Sequence, residues 1–177
     1  MASRRRAARS SGLIEIGESF VGEGAEAAHL NTVLGPRDGA VGAAWATALA
    51  TPSAGHAPFL VVLRPGLPVQ PPTLFVNKAA IASDAHARLT WGAAQAGVAG
   101  GVADAVADGI VRRDSRAELV LIAAVWVDPA ARDADAVYRN NRAATRAALQ
   151  AGRDRAPSLD EVLAARAAPW NPFFDPR

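Results

Sequence analysis

A chain of 177 residues, half of them hydrophobic, has the length of one compact domain and enough apolar side chains for a core that needs no staples. It has no cysteine, which excludes disulfides, thiolate metal sites and thiol nucleophiles and suits a reducing compartment, so a cytoplasmic protein is expected. A net charge of +2, from 19 basic and 17 acidic residues, gives no basic surface for nucleic acid, and the longest apolar run, Leu119 to Val127, is far short of the roughly 20 residues that span a membrane.

In chain order, Arg4, Arg5, Arg6 and Arg9 beside Ser and Ala read as a solvated, frayed start, residues 1–11, with no apolar segment after it to make a leader. The segment from Leu13 to Ile16 opens a strand, and Glu26 to Leu34 gives a second, stopped by Gly35-Pro36 and Asp38-Gly39. These two are expected to pair. From Ala40, the residues Val41, Trp45, Ala48 and Leu49 follow helical spacing as a short amphipathic helix, until Pro52 and Gly55 break it. Phe59 to Leu63 and Thr73 to Val76, on either side of the stiff stretch Pro68 to Pro72, are two further strands.

Between Gly92 and Ile110 the larger residues Val98, Val102, Val106 and Ile110 recur every four positions, with Asp104 and Asp108 on another face, which predicts a helix. Its other positions are nearly all Ala or Gly, so a sheet or a second subunit is expected to approach it closely. Glu118 to Val127 is a long apolar strand, and Asp135 is a candidate cap for a helix carrying Val137, Ala144, Ala148 and Leu149 towards Gly152. The domain is therefore drawn as residues 12–155. The remainder, 156–177, holds a capping-box pattern from Ser158 to Glu161 and an aromatic tail, Trp170, Phe173 and Phe174, expected to lie against the domain or a neighbouring protomer. No internal repeat is visible.

Few residues can carry chemistry. His29 lies inside the second strand, with Asn31 on the same face, and is either a hydrogen-bonded structural residue or an acid–base catalyst. His56 and His86 read as surface residues, and no histidine gathers partners at metal-ligand spacing. Lys78 is the sole lysine beside 18 arginines: either chance, or a place where a primary amine is needed as a compact donor or a carbonyl-reactive group. Gln95 is a neutral donor and acceptor on the Ala/Gly-rich helix. The glycine-rich segment from Gly22 to His29 lacks the lysine-serine ending and the dinucleotide spacing, so it is not a phosphate loop.

Taken together, GEGAEAAH (22–29), LGPR (34–37), FLVVL (59–63), FVNK (75–78) and WGAAQ (91–95) make the chain resemble formaldehyde-activating enzyme over about Ile14 to Gly152. The resemblance implies an α+β fold of the ribosomal protein S-five domain two-like class, a sheet with helices packed on one face in a single domain. It also implies a homopentamer in which a pterin lies between neighbouring protomers.

By position, it makes His29 the proton donor and assigns Leu60, Lys78 and Gln95 to the pterin pocket. Asn31 stands where the family usually has an acid, and Ala80 where it has a threonine. The implied reaction condenses formaldehyde with tetrahydromethanopterin as a co-substrate, a carbon–nitrogen-bond-forming hydro-lyase step with no tightly bound cofactor and no metal. Asn31 and Ala80 leave a second reading, a carrier or sensor that binds a pterin or a small carbonyl compound without turnover.

Overall fold

The computed structural model of the chain describes residues 13–113 and 117–174, so the basic start expected to fray, 1–11, lies outside the described residues. Strand β1 (Glu15–Val21) pairs antiparallel with β2 (Ala28–Pro36), as expected, from Glu15 opposite Leu34 to Val21 opposite Ala28. Between them Gly22 and Gly24 take φ of 91° and 62°, a region glycine enters without a Cβ clash, and one 3-10 turn follows at Gly24–Glu26. That turn moves the start of β2 from the expected Glu26 to Ala28. The Glu26 carboxylate instead accepts the Arg132 N–H at 3.1 Å, which ties the glycine loop to the segment before the long C-terminal helix.

Helix α1 (Ala40–Ala50) buries only Val41, so its expected amphipathic face is thin. Val41 fills the space above Gly35, where a Cβ would stand 2.6 Å from its Cγ2. The run Phe59 to Leu63, expected as one strand, divides into β3 (Phe59–Leu60) and β4 (Val62–Arg64). The division falls at Val61, whose N–H donates to Thr73 O at 2.9 Å while its carbonyl accepts from Val69 N at 3.2 Å, so one residue bonds in two directions. β4 pairs with a short strand absent from the sequence reading, β5 (Leu67–Pro68), and β3 pairs with β6 (Thr73–Asn77).

A short helix α2 (Asp84–Arg88) runs through a π turn, Leu89–Ala94, into α3 (Gln95–Ala107). Ile110, counted in the four-residue repeat, lies past the end of α3. Strand β7 (Leu119–Trp126) then enters between β2 and β6, giving the order β1-β2-β7-β6-β3, parallel only between β6 and β7. Helix α4 (Ala134–Asp154) is capped by Asp133, whose carboxylate accepts from Ala136 N at 3.0 Å; the expected cap, Asp135, sits in the first turn. The capping box of Ser158 and Glu161 opens α5 (Leu159–Ala165) as read.

One face of the sheet, with Leu30, Leu34, Phe75, Leu121, Ala123 and Val125, packs under α3 and α4 into a single core. Each fully buried Leu or Phe there contributes about 1.5–3 kcal/mol. The glycines of α3 do admit a close neighbour, but it is helix α4 of the same chain and not the expected sheet or second subunit: a Cβ at Gly97 would meet Tyr138 O at 2.5 Å, and one at Gly101 would meet Arg142 O at 2.5 Å. Asp104 and Asp108 pair with Arg142 and Arg146 across the same two helices, both at 2.7 Å. These exposed pairs align the helices and are worth about 0.2–1 kcal/mol each. The architecture is thus the expected α+β domain with its two long helices on one face, and α1 reaches the end of the opposite face at Gly35.

Candidate functional site

Strand alternation sends Ala28, Leu30, Thr32 and Leu34 into the core and leaves His29, Asn31 and Val33 half-buried on the outer face. Register then places their neighbours. Phe20 of β1 and Trp126 of β7 stand opposite His29, and Glu18 and Ala124 stand opposite Asn31. Val76 of β6 lies opposite Ala124, and Lys78 follows two residues later, its N–H donating to Val125 O at 2.8 Å, so it carries the ladder on to the level of Trp126. Phe20, His29, Trp126 and Lys78 therefore form one row across four strands.

The imidazole Nε2 of His29 lies 3.0 Å from Oε1 of Glu18, a diagonal contact between β1 and β2. The ring of Phe20 flanks it, centroids 6.2 Å apart and tilted by 48°. The His29 side chain is 39% exposed, enough to be reached by a ligand. Lys78 is half-buried, and this burial lowers its pKa from the usual lysine value, while the negative charge of Glu18 acts in the opposite direction. Glu18 thus meets the His29 ring and acts on the Lys78 amine. Sequence reasoning missed it: the pattern Ile16, Glu18, Phe20 shows an outward face, but the register that brings Glu18 beside His29 is set between strands.

The turn after Lys78 is held by Asn77, whose side-chain amide donates to Gly55 O at 2.8 Å and Ala79 O at 2.7 Å. His56, expected at the surface, is half-buried and belongs to this clamp. Its Nδ1 donates to Asn77 O at 2.9 Å, because a carbonyl can only accept. Ala80 is exposed and sits against Gly55, where a Cβ would come within 3.1 Å of its methyl.

His86 corrects the surface expectation more sharply, being only 1% exposed. Its Nε2 donates to Val127 O at 2.9 Å and its Nδ1 accepts from Ala82 N at 3.2 Å, so it braces the end of β7 against the loop before α2.

Leu60 and Gln95 stand apart from the His29 row. Leu60 lies on β3, the last strand of the sheet, with 36% exposure. Gln95 opens α3, directly after the π turn, and its Oε1 accepts from Val62 N at 2.7 Å on the edge hairpin. Register keeps Leu60 on the same outer face as His29, Asn31 and Lys78, in the row of Val33 at the far edge of the sheet, while Gln95 sits on α3 beside the edge hairpin.

Of the aromatic tail, Trp170, Phe173 and Phe174 are all exposed, and the expected docking on the domain is limited to the edge-on contact of Phe173 with Trp126. Among the described residues no cluster of three or more His, Cys, Asp or Glu could hold a metal ion, and no helix is long and apolar enough to cross a membrane. An imidazole that meets a carboxylate and lies beside an aromatic ring can deliver a proton to a bound ligand.

The family model for formaldehyde-activating enzyme matches residues 16–174. The chain is 40% identical over 158 residues to 5,6,7,8-tetrahydromethanopterin hydro-lyase of Methanosarcina barkeri, covering 89% of each. It is 40% identical over 164 residues to the bifunctional enzyme Fae/Hps of Methanosphaera stadtmanae and 41% identical over 158 residues to that of Archaeoglobus fulgidus. These alignments take in 93% and 89% of this chain but 40% of each bifunctional relative, so the chain spans about two fifths of their length.

Proposed function

Because the chain belongs to the formaldehyde-activating enzyme family, we propose that it condenses formaldehyde with tetrahydromethanopterin to the methylene-pterin and water, with His29 as the general acid. The observation that carries this reading is the single outer-face row in which His29 and Lys78 flank Trp126 and both feel the Glu18 carboxylate.

A ring N–H nitrogen of the pterin adds to the formaldehyde carbon, the carbonyl pair moves to oxygen, and the proton that the nitrogen gives up passes to that oxygen to leave a neutral carbinolamine. Loss of water needs a second proton, because hydroxide is a poor leaving group. The His29 imidazolium donates it, the C–O bond breaks, and an iminium remains. The second pterin nitrogen attacks that carbon and releases a proton, which the now neutral imidazole takes back. General acid catalysis of this kind is worth about 10²–10⁴-fold. Orientation adds to it: Lys78 and Asn31 donate hydrogen bonds to the pterin from the same face, with the exposed Ala80 beside Lys78 at the rim.

Leu60 and Gln95 are the complementary half of the pocket, supplied by a neighbouring copy. Exposed apolar residues stand at both ends of the sheet, Ile14, Ile16 and Phe20 towards β1 and Leu60, Leu63 and Leu67 towards β3–β5. Two unlike patches on one chain suit a head-to-tail ring, here a homopentamer in the cytoplasm.

Purified protein mixed with formaldehyde and tetrahydromethanopterin should form the methylene-pterin faster than the spontaneous reaction, and the His29→Ala variant should lose most of that excess while still binding the pterin. Binding without acceleration by the unmodified protein would instead identify a carrier or sensor.

A further inference from the structure

We infer that Glu18 is the positioning residue of this site, the carboxylate that sets the ring orientation and tautomer of His29. The inference deepens the reading of His29 as the acid and rests on it.

Alternation on β1 turns Glu18 outward between Ile16 and Phe20, and the β1–β2 register sets it opposite Asn31 and diagonal to His29. A carboxylate oxygen only accepts, so its approach to within 3.0 Å of Nε2 favours the tautomer with the hydrogen on that nitrogen. Nδ1 is then the ring nitrogen left to face the substrate. In the imidazolium both nitrogens carry hydrogen: Nε2–H stays on Glu18 and Nδ1–H goes to the leaving hydroxyl. When that proton has gone, the ring is already the Nε2–H tautomer that Glu18 holds, and Nδ1 is free to recover a proton.

Asn31, directly opposite Glu18, has an amide that both donates and accepts, so it cannot fix the tautomer in this way. The same carboxylate acts on Lys78, opposing the effect of burial on its amine. Glu18 itself is 60% exposed, so replacing it leaves no buried charge unpaired and the fold has no reason to fail.

The test uses the full chain and its Glu18→Gln and Glu18→Asp variants. Steady-state kinetics with formaldehyde and tetrahydromethanopterin should show kcat reduced about ten-fold or more in Glu18→Gln, within the span of a general-acid effect, with KM for formaldehyde changed much less. Glu18→Asp, which keeps the charge, should recover part of the loss.

Nitrogen NMR of the imidazole, assigned with a His29→Gln variant, should show the Nε2–H tautomer in the unmodified protein and a mixture in Glu18→Gln. Unchanged kcat in Glu18→Gln, or the same His29 tautomer in both proteins, overturns the inference. If the unmodified protein gives no rate above the spontaneous reaction, the functional reading falls, and the NMR results still decide whether Glu18 orients His29.

Discussion

The indole of Trp126 and the ring of Phe173 meet edge to face, 6.0 Å between centroids and 77° between planes. Trp126 is the cross-strand partner of His29, so this contact brings the C-terminal segment to the border of the proposed site. Phe173 is 79% exposed, and an exposed aromatic pair contributes at most about 1 kcal/mol. Phe173→Ala should therefore leave the melting temperature close to that of the unmodified protein and raise KM for tetrahydromethanopterin more than KM for formaldehyde. Thermal melts and steady-state kinetics check both halves; an unchanged pterin KM would separate the tail from the site.

Asn31→Asp should increase the condensation rate, because a second carboxylate on the outer face favours the charged imidazole. It also sets two like charges opposite each other, since Glu18 pairs with position 31, at a cost of about 0.2–1 kcal/mol. A faster but slightly less stable enzyme is the expected result, read from initial rates and chemical denaturation of the same preparation. A slower variant would mean that the amide contacts the ligand in a way a carboxylate cannot.

The α3–α4 contact offers a test with an internal control. Gly97→Ala and Gly101→Ala each push a methyl against an α4 backbone carbonyl and should cost about 1–3 kcal/mol through overpacking. Gly92, in the π turn, has open space where its Cβ would be, and Gly92→Ala should be neutral or stabilising by up to about 1 kcal/mol. Equal effects at the three positions in urea titrations would contradict this packing.

His86→Ala should be the more damaging of two histidine replacements. It leaves Val127 O without its partner in a buried place, at about 1–3 kcal/mol, and also removes the part-buried bond from Ala82 N. His56→Ala removes one half-buried bond to Asn77 O, worth about 0.5–1.5 kcal/mol. Calorimetry of the two variants should show the larger drop for His86→Ala; the reverse order would place the structural histidine at the wrong position.

Local chemistry was legible where the code is local. Period-two alternation put His29 and Asn31 on one face of β2, period-four spacing found α3 through Val98 and Val102, and the Ser158 and Glu161 pattern located the start of α5, because each depends on residues a few positions apart. The motifs that mark the family are also short runs, so the resemblance could be read without coordinates.

What the chain alone did not reveal depends on partners far apart in sequence. The burial of His86 depends on Val127 reaching it, the division of the Phe59 to Leu63 run depends on Thr73 and Val69 each bonding a different backbone group of Val61, and the partnership of Glu18 with His29 depends on the β1–β2 register. A strand pattern shows which side chains share a face, yet a shift of one residue between two strands changes every cross-strand neighbour. Residue types and faces were thus written along the chain, and the meeting of the His29 imidazole with the Glu18 carboxylate was decided only when the sheet closed in one register.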